Sequence, residues 1–390
     1  MKKLNRPTLL FERDRDYKPT SRSEIEAVFG ALFLINVKRG NRADINEFFN
    51  KNGTGLLTIL ANSLRFYDIT TRQEPSISDK LAPIRTFHSA FVANCQSAYN
   101  VGESVIIDEM LVSFRGRCSF IQYMPQKPAK YGIKMYSMCD SQTFYTFNMI
   151  IYCGTQKPGP YETSNKPFDI VKTLTEPLKR TNRNVTTDNW FSSYPLAEYL
   201  SSVGLTFLGT LRKNKSEILD IFVTENKNLV PGSYLFGYND TSTLVSYVTK
   251  KKKVVLVLST LHDENEADDE TGKPVQVMDY NATKGGVDTV DLMCSRISTS
   301  RRTKRWPMII FFQYLDIAGI NSMRIYQMNN CLETFVRRKY IFNLAMELMD
   351  ENLRERAKIY ETLDSKVKKN SETVNYRNAP AGAIEQSAPG

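Results

Sequence analysis

The chain has 390 residues, of which 41% are hydrophobic and 24% are charged, a balance that excludes a disordered chain and predicts folded domains. Its net charge of +10 favours a polyanionic partner such as DNA, although a basic solvated surface would carry the same charge. No Cys pair has zinc-site spacing and no apolar run is long enough for a bilayer, so we expect a protein of a reducing compartment without a membrane partner.

The first hundred residues carry helical patterns. Ser21 and Glu24 have the spacing of a capping box, and apolar residues follow at helical intervals as far as Asn36. The same spacing over 56–66 and 84–95 predicts two further helices. We therefore expect residues 1–103 to form the first part of a helical region.

The pattern changes near residue 104 to short β-branched and apolar runs, which are typical of buried strands. Two helix-like segments separate the later runs. We predict strands at 104–108, 131–139, 144–153, 185–188 and 205–211, and helices at 169–180 and 195–202. This order predicts an α/β layer with a mixed sheet over 104–214.

A β-rich insertion is predicted over 215–274, where three strand-like runs precede an acidic stretch that we interpret as a solvated loop. Helical character returns at Gly286 and continues to about Val367. We expect 275–297 to complete the α/β core and 298–370 to form the second part of the helical region. The last segment, 371–390, has the composition of a disordered tail.

Two aspartates, Asp108 and Asp188, end predicted buried strands, where a carboxylate needs a partner. A turn-capping role is the simpler interpretation of either one alone. Asp288 begins a predicted helix and Asp291 lies one turn later on the same face. Together these acids offer the oxygen ligands that Mg²⁺ prefers, and two ions about 4 Å apart can promote phosphodiester displacement. A nucleotide cofactor is not expected, because no GxxxxGK[ST] loop is present.

Six motifs occur in the order and with the spacing of piggyBac-type transposases, which the chain resembles from about residue 20 to 345. They are DKLAPIR at 79–85, DEMLVSFRGRC at 108–118, KPAKYGIK at 127–134, DNWFSS at 188–193, YNATKGGVD at 280–288 and RWPM at 305–308. The resemblance implies an RNase H-like mixed-sheet catalytic core, interrupted by an insertion and flanked by a helical dimerisation and DNA-binding region from both chain ends.

The resemblance also implies that Asp108, Asp188 and Asp288 form a catalytic triad for two Mg²⁺ ions, which Mn²⁺ can replace, with Asp291 as a further acid beside it. It implies a nuclear homodimer that excises double-stranded DNA through hairpin ends and inserts it at TTAA sites. Trp306 matches a tryptophan that the family places near the hairpin.

Basic residues near these motifs are assigned to DNA. A tryptophan among cations can stack on an unpaired base, although packing of a Trp–Pro helix start into the core is the alternative. Cations beside the first strands are assigned to contact with the DNA backbone, although exposed lysines often do no more than keep a protein surface solvated. The assigned residues are Arg115, Arg117, Lys127, Lys130, Lys134, Arg301, Arg302, Lys304, Arg305 and Trp306.

The chain departs from the family pattern in that no cysteine follows Cys331, where many members carry a cysteine-rich zinc module. Our first hypothesis is a Mg²⁺-dependent cut-and-paste DNA transposase. The alternative is a domesticated, catalytically silent DNA-binding nuclear protein with the same fold. A general RNase H-like nuclease is disfavoured by the number of ordered motifs.

Overall fold

The structure is a computed structural model that describes residues 20–37, 64, 66, 79–156, 159, 161–223, 230–251, 253–331 and 336–362. Most of the helix predicted over 56–66, and all of the tail predicted over 371–390, lie outside these residues. The chain divides into two compact units. One contains residues 1–62 and 338–390, and the other contains residues 63–337.

In the first unit, helix α1 (Arg22–Val37) begins at the predicted capping box. The Glu24 amide donates to Ser21 Oγ at 3.2 Å, and the Ser21 amide donates to Glu24 Oε2 at 3.0 Å, so both donors at the helix start are satisfied. The last helix, α8 (Arg337–Thr362), packs closely on α1. At the contact, a Cβ added to Gly30 would lie 2.6 Å from the Ala345 carbonyl oxygen.

The second unit is built on one mixed sheet, which has nine strands in the described residues. The strand order is β2-β3-β1-β5-β6-β9-β8-β7, with β4 also paired to β3. β1, β5 and β6 are parallel neighbours, and the other pairs are antiparallel. The strands are β1 (Ser104–Ser113), β2 (Ile121–Tyr123), β3 (Tyr131–Asp140), β4 (Thr146–Ile151), β5 (Asn184–Thr187), β6 (Thr206–Leu211), β7 (Tyr234–Tyr238), β8 (Thr243–Lys250) and β9 (Lys253–Ser259). The predicted mixed α/β fold is confirmed.

Helices cover both faces of the central strands, which explains why β1 is apolar on both sides. The helices of this unit are α2 (Arg85–Ala98), α3 (Pro167–Thr175), α4 (Tyr194–Ser202), α5 (Val275–Thr283), α6 (Gly286–Arg296) and α7 (Trp306–Asn329). Val105 and Ile107 pack in a core with α3 and α4, whereas Ile106 and Met110 pack in a second core with α6 and α7. None of the helices in the described part of the chain is long and apolar enough to span a membrane.

Three features differ from the sequence-based prediction. β1 does not end at Asp108 but continues to Ser113, because Met110, Leu111 and Val112 are also buried. The predicted β-rich segment is present, but its strands extend the core sheet, since β9 pairs with β6. The helical part resumes at Val275, after Pro274, rather than at Gly286.

Candidate active site

Asp108 and Asp188 lie side by side where the parallel pairing of β1 and β5 ends. Ile107 pairs with Thr187 in that register, Asp108 is the next residue of β1, and Asp188 is the first residue after β5. Burial, together with the negative charges of Glu109 and Asp188, raises the pKa of Asp108 to about 8. The two carboxylates therefore form a pair of like charges that a cation would stabilise.

The turn after Asp188 is built by its own side chain and backbone. The Trp190 amide donates to Asp188 Oδ1 at 2.9 Å, and Ser192 Oγ donates to the Asp188 carbonyl oxygen at 2.7 Å. The Trp190 ring stacks on Tyr136 with centroids 5.6 Å apart. Lys134 Nζ lies 4.6 Å from the centre of the Trp190 ring. These contacts fix the position of Asp188 and explain why residues of the DNWFSS motif are needed at this turn.

Asp288 reaches the site because α6 packs very closely on β1. A Cβ added to Gly286 would lie 2.5 Å from Ile106 Cγ2, so only glycine permits this approach without a shift. Asp288 is in the first turn of α6, and Asp291 lies one turn later and is partly buried. Burial raises the pKa of Asp291, an effect that the positive charge of Lys127 opposes.

Lys127 stands among these acids. Its Nζ lies 3.2 Å from Asp288 Oδ1 and donates to the Glu109 carbonyl oxygen at 3.0 Å. Burial lowers the pKa of Lys127, but Asp288, Asp108 and Glu109 raise it by more, so it lies above its ordinary value. Lys127 is therefore an internal counter-ion of the acidic site.

In this arrangement, no three Asp, Glu, His or Cys side chains of the described residues are gathered closely enough to hold a metal ion. Asp108 and Asp188 adjoin, whereas Asp288 contacts Lys127. The chemistry of the donors fits a hard divalent cation, because all are carboxylates and the adjoining pair repels. The assignment of Asp108, Asp188 and Asp288 as metal ligands stays a prediction.

The cations assigned to DNA from the first strands have different surroundings. Arg115, Arg117 and Lys130 are exposed, and the Arg115 guanidinium lies 5.7 Å from the centre of the Tyr131 ring. Lys134 is partly buried over aromatic rings. Three of the five thus present charge to solvent, and Lys127 and Lys134 serve the acidic site and its aromatic wall.

Part of the basic segment before α7 is packed against other parts of the protein, and part of it is exposed. Trp306 packs edge-to-face on Phe120 with centroids 5.0 Å apart, which agrees with the packing interpretation of this tryptophan. Arg305 donates to the Leu64 carbonyl oxygen. Burial lowers the pKa of Arg301, while Arg302 and Lys304 are exposed. Base stacking by Trp306 stays a prediction.

A basic groove of 920 Å³ beside the acids is absent from the sequence-based prediction. It starts at Asn189, next to Asp188, and is formed by β6, β8, β9 and α5. Its lining includes six lysine or arginine residues and no acid, namely Arg212, Lys213, Lys250, Lys253, Lys273 and Lys284. The lysine run at 250–253 was a signal in the sequence, but its convergence with Arg212 depends on the pairing of β9 with β6, and its convergence with Lys284 depends on the packing of α5 on β9.

The fold, a mixed sheet with helices on both faces, matches that of known transposases. The family model for transposase IS4 matches residues 2–323, and the chain belongs to this family. Among solved structures, it is similar to a piggyBac transposase in a synaptic complex with hairpin DNA, determined by cryo-EM. The two are 34% identical, the match covers 96% of this chain and 82% of that one, and the TM-score is 0.83. The protein is thus a piggyBac-type member, as the motifs predicted.

Proposed function

We propose that the protein is a cut-and-paste DNA transposase in which Asp108, Asp188 and Asp288 bind two Mg²⁺ ions, with Mn²⁺ as a possible substitute. The adjacency of Asp108 and Asp188, where the parallel pairing of β1 and β5 ends, supports this most directly, because two repelling carboxylates form a cation site. When bound, such ions supply the charge that activates a water or 3′-hydroxyl and stabilises the leaving oxygen in an in-line displacement.

The residues of the chain then have distinct tasks. Asp188 is oriented by the turn to Trp190, and Asp288 is brought to β1 by the close approach at Gly286. Asp291 adds negative charge one helical turn away. The basic groove starting at Asn189 leads DNA phosphates to the acids, since clustered Lys and Arg bind the backbone without reading sequence.

The substrate that we propose is double-stranded DNA, cut through hairpin ends and inserted at TTAA sites by a nuclear homodimer. The support is the likeness to a transposase whose structure is a synaptic complex with hairpin DNA. The exposed Arg115, Arg117, Lys130, Arg302 and Lys304 extend the basic surface available to such a substrate.

The test is cleavage of a TTAA-containing duplex in Mg²⁺ by the wild type and by Asp188→Asn, with the exposed Asp269→Asn as matched control. We expect cleavage by the wild type and the control but not by Asp188→Asn. Equal cleavage by all three would refute the assigned metal site.

A second candidate, a catalytically silent DNA-binding protein, is favoured by the contact of Asp288 with Lys127, which keeps the third acid from the other two. This candidate predicts that the wild type and Asp188→Asn bind the duplex with equal affinity and that neither cuts it in Mg²⁺ or Mn²⁺.

A further inference from the structure

The loop between β2 and β3 holds Lys127 in a fixed position. The Lys127 amide donates to the Met124 carbonyl oxygen at 3.1 Å, and the Lys130 amide donates to the Lys127 carbonyl oxygen at 3.0 Å. The Met124 amide closes the loop on the Lys130 carbonyl oxygen at 2.8 Å, and Lys130 has a left-handed φ of 57°. The backbone of the loop is thus tied at three points, and the ammonium group is held in the acidic site by its bond to the Glu109 carbonyl oxygen at 3.0 Å.

The two ends of the contact differ in exposure. The Lys127 side chain is 17% exposed, whereas the Asp288 side chain is 66% exposed. The lysine is therefore the anchored partner, and Asp288 can leave it by rotating its own side chain. The negative charges of Asp108 and Glu109 also act on Lys127, so its ammonium interacts with all three acids.

We propose that Lys127 is a positioning residue that exchanges partners: it holds Asp288 in the DNA-free protein and releases it to the cation site when a DNA phosphate binds its ammonium group. This inference rests on the proposed function. A phosphate oxygen competes directly with Asp288 for the same donors, because both are anionic acceptors. DNA binding would thus complete the set of residues that bind the cation. The cation and DNA would therefore bind cooperatively.

The first experiment measures cation binding without DNA. Tb³⁺ is a suitable probe, since it is a hard cation whose luminescence is sensitised by a nearby indole, and Trp190 lies two residues after Asp188, to which its backbone amide donates. We expect Lys127→Gln to bind Tb³⁺ about tenfold more tightly than the wild type, because it frees Asp288 and removes a competing charge. Lys127→Arg keeps the charge and should bind like the wild type.

Lys130→Gln is the matched control, because it removes the same charge from an exposed position of the same loop. It should change Tb³⁺ affinity by less than about threefold if general electrostatics contribute little. An equal increase in Lys127→Gln and Lys130→Gln would overturn the proposal. So would unchanged or weaker Tb³⁺ binding by Lys127→Gln.

The second experiment measures the coupling. Duplex affinity is followed by anisotropy of labelled DNA with and without Ca²⁺, and linkage requires the two ligands to affect each other equally. We expect Ca²⁺ to tighten DNA binding about tenfold in the wild type and by less than about threefold in Lys127→Gln. Equal coupling in both proteins would overturn the exchange.

These results distinguish a failure of the cation site from a failure of the Lys127 exchange. If the wild type binds Tb³⁺ and Asp188→Asn does not, the cation site stands, and the Lys127 results alone decide the exchange. If neither the wild type nor Lys127→Gln binds Tb³⁺, the proposed cation site is refuted and the exchange with it. Melting curves of all variants without cation confirm that each is folded.

Discussion

Replacing Asp108 by asparagine is expected to stabilise the cation-free protein, although this residue belongs to the proposed catalytic site. Burial and the neighbouring acids raise its pKa from 3.8 to about 8. Asparagine keeps an oxygen for the Glu109 amide, which donates to Asp108 Oδ1 at 2.7 Å, and removes the charge. The substitution thus separates the electrostatic cost of the carboxyl from its packing.

The size of the effect follows from linkage. At pH 7 the unfolded chain has released this proton and the folded protein retains it, a difference of about three pH units at about 1.4 kcal/mol each, or about 4 kcal/mol at most. Solvent access and movement of Glu109 screen the interaction, so we expect about 1–2 kcal/mol. The pKa is raised on folding, so the stability contributed by Asp108 is complete below 3.8 and is lost as the pH rises to about 8.

The assay is urea unfolding with a chelator, for the wild type, Asp108→Asn and the exposed control Asp269→Asn. The gap in unfolding free energy between the wild type and Asp108→Asn should widen between about pH 4 and pH 8 and then stay constant. Added Mg²⁺ should narrow the gap, since it binds the wild type more tightly. If Asp108→Asn destabilises the protein at pH 7, or if the difference in unfolding free energy narrows as the pH rises, this reasoning is refuted.

Three further outcomes are expected. Asp188→Asn should fold with a melting temperature no lower than that of the cation-free wild type, because it removes one of several repelling acids, and a large drop by calorimetry would contradict this. Gly286→Ala should lower the unfolding free energy by about 1–3 kcal/mol, since its Cβ would meet a β1 side chain at 2.5 Å, whereas Gly285→Ala has no atom within 4 Å and should change little in the same urea assay. Substituting Lys253 and Lys284 together by glutamine should reduce the slope of duplex affinity against salt by about 2, and an unchanged slope would exclude the groove from the DNA path.

Much of the fold was determined by local sequence. The reciprocal bonds of Ser21 and Glu24 involve residues three apart, so their spacing alone predicted where α1 begins. The apolar run before Asp108 predicted a central strand because residues on both of its faces had to be buried. The ordered motifs predicted the family, and Asp108, Asp188 and Asp288 each lie in one of them.

The tertiary structure decided what depends on residues far apart in the chain. The pairing of β9 with β6 joins the predicted insertion to the core sheet and brings Arg212 to the groove, and the packing of α5 on β9 adds Lys284. The partner of Lys127 is Asp288, which lies 161 residues away. Such contacts arise from strand register and helix packing, which no local pattern encodes, because a shift of one residue would turn the same side chains to the opposite face.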